Sequence, residues 1–235
     1  MSKINKAAGN MYTGWCTHTW EPFRPHHCAH ECIYCYAKKM HHRFGIKEDE
    51  NPHLDVMPEN MGKDRTIFVG HMCDMWAENV SIDKIQYILD WCFSFENKYI
   101  FQSKNPERFR HFYFDNERVI LGTTIETNRI FNRGECFSEA PSPVFRSQGI
   151  KNMKKVRGIE TFITIEPIMA FDIIPFVKLI VNAEPDFVNI GADSKGGNLE
   201  EPTKNQVIDL IEAIQENGIK IKLKPNLKRI LGEIS

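Results

Sequence analysis

The stretch Thr66-Ile67-Phe68-Val69-Gly70, the amphipathic run over residues 81–95, and Tyr99-Ile100-Phe101-Gln102 together spell one strand–helix–strand unit. Both strands are near-continuous apolar runs, the pattern of a parallel sheet covered on both faces. Between them Ser81 stands as a cap, with Ile82, Ile85, Ile88, Leu89 and Cys92 recurring at helical spacing behind it. The alternation continues outward. Residues 118–122 (RVILG), 161–165 (TFITI), 186–190 (DFVNI) and 219–223 (IKIKL) read as further strands, and an earlier one falls within 12–20. Residues 203–216 read as a helix opened by a capping box, Thr203 with Gln206, and closed before Gly218. Seven strands with helices between most of them are fewer than the eight of a closed TIM barrel. The expectation is an α/β fold, a partial barrel of about seven parallel strands.

The 235 residues, 42% of them hydrophobic, can bury one full core, so residues 1–235 are read as a single domain. No apolar run approaches the ~20 residues of a membrane span, and no N-terminal stretch reads as a signal peptide. The reading is a cytoplasmic chain without a membrane partner. Thirty basic against thirty-one acidic side chains leave a net charge of -1, so no global field marks a nucleic-acid partner. Cations do cluster locally: Lys38, Lys39 and Arg43, five over residues 146–157, and five over residues 220–229. Each cluster taken singly reads as a solvated helix face. Residues 128–142, rich in Asn, Gly, Glu and Pro, read as a surface loop placed to cover the barrel mouth.

Chemistry concentrates in Cys28-Ala-His-Glu-Cys32-Ile-Tyr34-Cys35, where C-x3-C-x2-C spacing packs three thiols into eight residues. Iron-sulfur clusters take thiolate ligands, and three thiols leave one iron of a 4Fe-4S cubane open. A Cys3His zinc site with His26, His27 or His30 is the competing reading, although zinc motifs usually carry a second, distant ligand pair. A disulfide framework is disfavoured by seven cysteines, an odd number, of which Cys16, Cys73, Cys92 and Cys136 are scattered.

At these residues the chain resembles the radical S-adenosylmethionine (SAM) superfamily. The matches Thr19-Trp20, Cys32-x-x-Cys35-Tyr36-Ala37, Phe68-Val69-Gly70-x-Met72-x-Asp74, Phe101-Gln102, Ile165-Glu166-Pro167 and Ile190-Gly191 resemble its phage-associated three-cysteine branch, of poorly defined function. The resemblance implies a partial (β/α)6-type barrel with the cysteine loop after the first strand. It also implies a 4Fe-4S cluster on Cys28, Cys32 and Cys35, SAM on the open iron, Tyr34 packed near adenine, an external electron donor, and a phage-encoded protein in a bacterial cytoplasm. Gly70-His71-Met72-Cys73-Asp74 stands where the superfamily holds the SAM amine on a glycine-rich segment. The usual Gly-Gly-Glu is missing, and Asp74 offers an acceptor in its place.

Parallel βα folds do their chemistry at the carboxyl ends of strands, so the polar residues just past each strand are the candidates. Thr124 and Glu126 are assigned to the SAM ribose, a role the resemblance implies for a polar side chain after the fourth strand, and Asp193 is a further cofactor-binding candidate. Lys104 is the cation for a carboxylate of SAM or substrate, with Lys195 a second choice. Glu166 reads as catalytic or as the ion-pair partner of a lysine, and Thr123 and Thr124 read equally as plain strand residues. Cys73 is a candidate hydrogen donor to a substrate radical, with Cys136 as its competitor. The substrate expected is a nucleobase, or its amino-acid-bearing derivative, in phage DNA, rearranged or modified at carbon as by an isomerase or base-modifying enzyme. The runs 146–157 and 220–229 are then its phosphate contacts. The alternatives are a peptide or small-metabolite substrate, a zinc or inert-cluster interaction module, and a degenerate barrel serving as a scaffold.

Overall fold

The computed structural model describes residues 3–8, 15–129, 137–193, 196 and 198–232. One sheet runs through it in chain order: β1 (Asn5–Lys6), β2 (His18–Trp20), β3 (Thr66–Val69), β4 (Lys98–Gln102), β5 (Val119–Thr124), β6 (Glu160–Ile165), β7 (Phe187–Ile190) and β8 (Lys220–Leu223). From β2 to β8 each neighbouring pair is parallel. These are the seven strands read from the sequence, and the partial barrel stands. The addition is β1, two residues paired antiparallel with β2, too short to leave any alternation in the sequence.

The α-helices are α1 (Tyr36–Arg43), α2 (Ile82–Phe93), α3 (Pro143–Arg157), α4 (Ile173–Asn182), α5 (Lys204–Glu216) and α6 (Lys228–Leu231). Ser81 caps α2 by accepting from the Lys84 amide, and the Thr203–Gln206 capping box of α5 is formed in both directions. Ile82 departs from the expected buried stripe, being 50% exposed while Ile85, Ile88, Leu89 and Cys92 are fully buried. At 3.6 residues per turn it lies about 70° from the centre of that stripe. Between β4 and β5 the chain makes a 3-10 helix, Pro106–His111, instead of an α-helix.

Strand alternation divides the apolar residues between two faces. Outward, Ile67, Val69, Tyr99, Phe101 and Leu121 pack with Ile85, Ile88 and Leu89 of α2. On the other half of the sheet, Ile163, Ile165, Val188 and Ile190 pack with Phe176 and Ile180 of α4 and Val207 and Leu210 of α5. Inward, Phe68, Ile100, Ile120, Phe162 and Phe187 form a plug within the barrel, with the Phe162 and Phe187 rings stacked at 5.2 Å. This floor confines the open space to the carboxyl ends of the strands.

Gly122 makes the plug possible. A Cβ built on it would lie 2.2 Å from the Phe162 ring, and Phe162 is fully buried. Gly122→Ala is therefore expected to cost about 1–3 kcal/mol through forced displacement of a packed ring. Urea denaturation of the two proteins checks this, and a loss below about 0.5 kcal/mol, the usual range of surface substitutions, would contradict the packing.

Candidate functional site

The connection from β2 to α1 carries Cys28, Cys32 and Cys35, and all three border a cavity of about 610 Å³ at the carboxyl ends of the strands. Every candidate cluster, cofactor-binding or catalytic residue assigned from the sequence lies on its wall except Glu126, which stands behind it, and Lys195 and Cys136, which fall outside the described residues. The loop is held at several points. The Cys35 amide donates to the Cys32 carbonyl at 3.0 Å, and the Glu31 amide to that of Cys28 at 3.2 Å. Asn79 donates to the His27 carbonyl at 2.8 Å. From the described end of the 128–142 segment, Ser138 Oγ donates to the His30 carbonyl at 2.8 Å and lies 3.1 Å from Cys32 Sγ. The end of that segment therefore packs on the cysteine loop itself.

Three thiols on one short loop, open to a cavity of the size that cofactors occupy, are a donor set that fits an iron-sulfur cluster. Lys104 Nζ lies 3.2 Å from Cys32 Sγ and so offers a cation beside the thiolates a cluster requires. Burial first, and the Asp74 charge second, push the Cys28 thiol up to about 12, so the positive charge of a metal is what would deprotonate it. The histidines of the zinc reading are engaged in other contacts. His30 Nε2 is 2.8 Å from Asp74 Oδ2, His26 Nδ1 is 2.9 Å from the Arg24 carbonyl, and His27 pairs with Glu31. Among the described residues, no three His, Cys, Asp or Glu side chains converge as ligands of a single ion.

Asp74 is a clamp between loops. Its Oδ2 meets His30 Nε2 and accepts from Ser103 Oγ at 3.0 Å and the Lys104 amide at 2.7 Å; its Oδ1 accepts from the Trp76 amide at 2.9 Å. Burial pushes its pKa up, but His30 and these donors outweigh burial and hold it below the usual carboxylate range. With four partners on two oxygens the carboxylate is near its capacity. The acceptor expected for the SAM amine is thus already committed to protein donors, and it ties the cysteine loop to the ends of β3 and β4.

Glu126, too, is engaged by protein partners. It is buried, with Oε1 2.9 Å from Lys104 Nζ and bonded to the Tyr34 hydroxyl, and Oε2 2.8 Å from the Arg146 guanidinium. Burial works against its charge, yet Lys104 and Arg146 hold its carboxyl far below the usual range. Both oxygens are occupied by protein partners, and Glu126 is the base on which Tyr34 and Lys104 rest. Lys104 Nζ also lies 4.3 Å from the centre of the Tyr34 ring. Arg146, read as one of five surface cations, is buried, and it further donates to the Thr124 carbonyl at 3.0 Å.

Several of the other cationic positions also have partners. Lys151 and Lys155 pair with Glu184, and Lys154 with Asp186. Asp186 directly precedes β7, so this cluster sits at the amino ends of the strands, opposite the cavity. Lys222 Nζ lies over the Phe187 and Trp15 rings at 3.8 and 4.4 Å, and Arg229 pairs with Glu201. A helix that starts at the carboxyl end of the sheet finishes at the other, which places the lysines of α3 away from the cavity.

Within the cavity, Gln102 bridges two strands, donating to Thr124 Oγ1 at 2.8 Å and accepting from Thr164 Oγ1 at 3.1 Å. Glu166 is bonded to Lys224 and accepts from Asn226 Nδ2 at 2.7 Å. Gly191 leaves room for this group, since a Cβ there would lie 2.7 Å from Glu166 Oε1. Asp193 is on the wall, its amide 3.3 Å from Glu201 Oε1. Cys73 Sγ donates to Glu21 Oε1 at 2.9 Å. Sequence reasoning passed over Glu21, although it directly succeeds Thr19-Trp20 of the first parallel strand and is therefore a polar residue at a strand's carboxyl end. Nothing local in the sequence marked His30 or Arg146 as buried partners of carboxylates.

The fold and site together define a partial parallel βα barrel with a three-thiol loop opening on an internal cofactor-sized cavity. The chain belongs to the family described as a protein of unknown function, DUF5131, whose model matches residues 11–224. Among solved structures it is similar to a mutant spore photoproduct lyase with bound AdoMet and dinucleoside spore photoproduct, at 13% sequence identity and a TM-score of 0.51. The match covers 91% of this chain and 64% of that one, and at this identity the likeness is one of fold. The chain therefore spans a little under two thirds of the length of that lyase. No curated protein matches the chain. Among the described residues, no helix is long and apolar enough to cross a membrane.

Proposed function

We propose that this protein is a radical SAM enzyme in which Cys28, Cys32 and Cys35 hold a 4Fe-4S cluster. The observation that carries this reading is that all three thiols of the motif border one cavity at the carboxyl ends of the parallel strands. The AdoMet bound to the structurally similar lyase supports it. Such a cluster with SAM, reduced by an external one-electron donor, supplies a 5'-deoxyadenosyl radical that takes hydrogen from an unactivated carbon.

The protein's part is binding and orientation. Tyr34, fixed by Glu126 through its hydroxyl, presents a ring face suited to adenine. Lys104, beside Cys32, supplies the cation for a carboxylate. Thr124, steadied by Gln102, offers its hydroxyl to a ribose. Glu166, with its charge offset by Lys224, accepts from an amine or hydroxyl of the substrate. Cys73 returns hydrogen to the substrate radical.

The substrate class we favour is a nucleobase or an amino-acid-bearing derivative, rearranged or modified at carbon. The cavity is of small-molecule size, an extruded base fits that class of site, and the similar lyase binds a dinucleoside. The phage setting implied by the sequence resemblance, with DNA as the carrier of that base, is part of this proposal. The acid-paired state of Lys151, Lys154 and Lys155 favours a second reading, a peptide or free metabolite that needs no phosphate contacts.

The test is anaerobic reconstitution and iron and sulfide analysis, then 5'-deoxyadenosine formation with reductant on DNA, nucleosides and peptides. About four irons and four sulfides per chain, as a cubane requires, with deoxyadenosine released, is the expected result. Zinc without sulfide, or a cluster that leaves SAM intact, would overturn the enzyme reading in favour of an interaction module. Turnover on a peptide alone would reassign the substrate.

A further inference from the structure

Cys73 stands between two cavities. It borders the main one and also a second of about 230 Å³, and Glu21 borders only the second. Glu21 Oε1 accepts from the Cys73 thiol at 2.9 Å and from the Phe23 amide at 3.4 Å, while Oε2 accepts from the Met72 amide at 2.8 Å. The carboxyl is thus held by backbone at both oxygens, and Oε1 also takes the sulfur. The second cavity has room for several waters at about 30 Å³ each. His26 Nε2, buried and without a hydrogen-bond partner among the described residues, is one polar group on its wall that water would satisfy.

The geometry points to Glu21 as a proton relay for Cys73, connecting its thiol to water in the second cavity. Burial pushes Glu21 up to about 7, so both its forms are present near neutrality. The titratable groups beside it include Cys73, His71 with Nδ1 4.0 Å from Oε2, and Tyr36 of α1. His41, paired with Glu48, shares the wall of the second cavity.

The relay moves protons only. The S–H bond of Cys73 breaks as an O–H bond forms on Glu21, Glu21 exchanges that proton with water, and the returning proton restores S–H. No electron is transferred, and no oxidant or reductant is needed. The inference rests on the proposed function in one respect, that Cys73 faces the reacting centre. Its consequence there is that hydrogen donated by Cys73 comes from solvent even when a bound ligand fills the main cavity.

The test monitors the Cys73 S–H stretching band by infrared spectroscopy after transfer of the full chain into D2O, with Cys73→Ser assigning the band. Glu21→Gln keeps an acceptor for the Met72 amide but carries no exchangeable acid. It should slow exchange at Cys73 about a hundredfold, the low end of general acid–base effects. Glu21→Asp, shorter by one methylene, should restore part of the rate, which a merely structural role would not. Equal exchange rates in the parent and Glu21→Gln overturn the relay, whether or not the reconstituted protein cleaves SAM. Glu21-dependent exchange in a protein that forms no deoxyadenosine upholds the relay and counts against the enzyme reading alone.

Discussion

Cys28→Ala, Cys32→Ala and Cys35→Ala are each expected to abolish the brown chromophore and deoxyadenosine formation after reconstitution, while leaving a folded chain. In the proposed cluster each thiol would be one of three protein ligands, and losing one would leave a second iron without a protein donor. None of the three lies in the barrel interior or the sheet. All are partly exposed on the loop between β2 and α1, so each truncation is expected to cost less than about 1.5 kcal/mol, well short of buried-core deletions. Circular dichroism and urea denaturation of the metal-free proteins measure the second part, and absorbance with iron and sulfide content the first. A single variant that kept a full cluster and cleaved SAM at the parent rate would remove that cysteine from the ligand set.

Glu126→Gln is expected to be the more damaging change to the fold itself. The substitution preserves shape but removes the negative charge, and Lys104 and Arg146 are then left facing each other in a buried site. Removing one partner of a buried ionic group typically costs about 3–5 kcal/mol, because the remaining charge has lost water without compensation. Lys104→Met should cost less, since Glu126 keeps Arg146. A loss below about 1 kcal/mol in Glu126→Gln, under the usual range for such breaks, would show that the triad is solvated in solution. The same variant should lose SAM binding in the reconstituted protein, because Tyr34 and Lys104 lose the carboxylate they rest on.

The first variants probe the loop that carries the three thiols, the second the support beneath it, and the sequence revealed these two very unequally. Close spacing marks the cysteines at once, since three thiols within eight residues have few uses. Glu126 was legible only as a polar residue after a strand, and that position suggested a ligand contact. Arg146 lies 20 residues further on at the first turn of α3, among other cations, and its neighbours carry no sign that it turns inward to the end of β5.

By itself the sequence determined the seven parallel strands, the capped helices α2 and α5, and the cysteine loop ahead of α1. These rest on period, cap and spacing, which are properties of neighbours along the chain. Only the tertiary structure decided which carboxylates face the cavity and which are used up beneath it: Asp74 on His30 and Ser103, Glu126 on Lys104 and Arg146, Glu166 on Lys224, and Glu21 on Cys73. A buried charge must be compensated by whatever the fold brings within reach. Its partner therefore comes from a different strand, loop or helix, at a separation that no local pattern records.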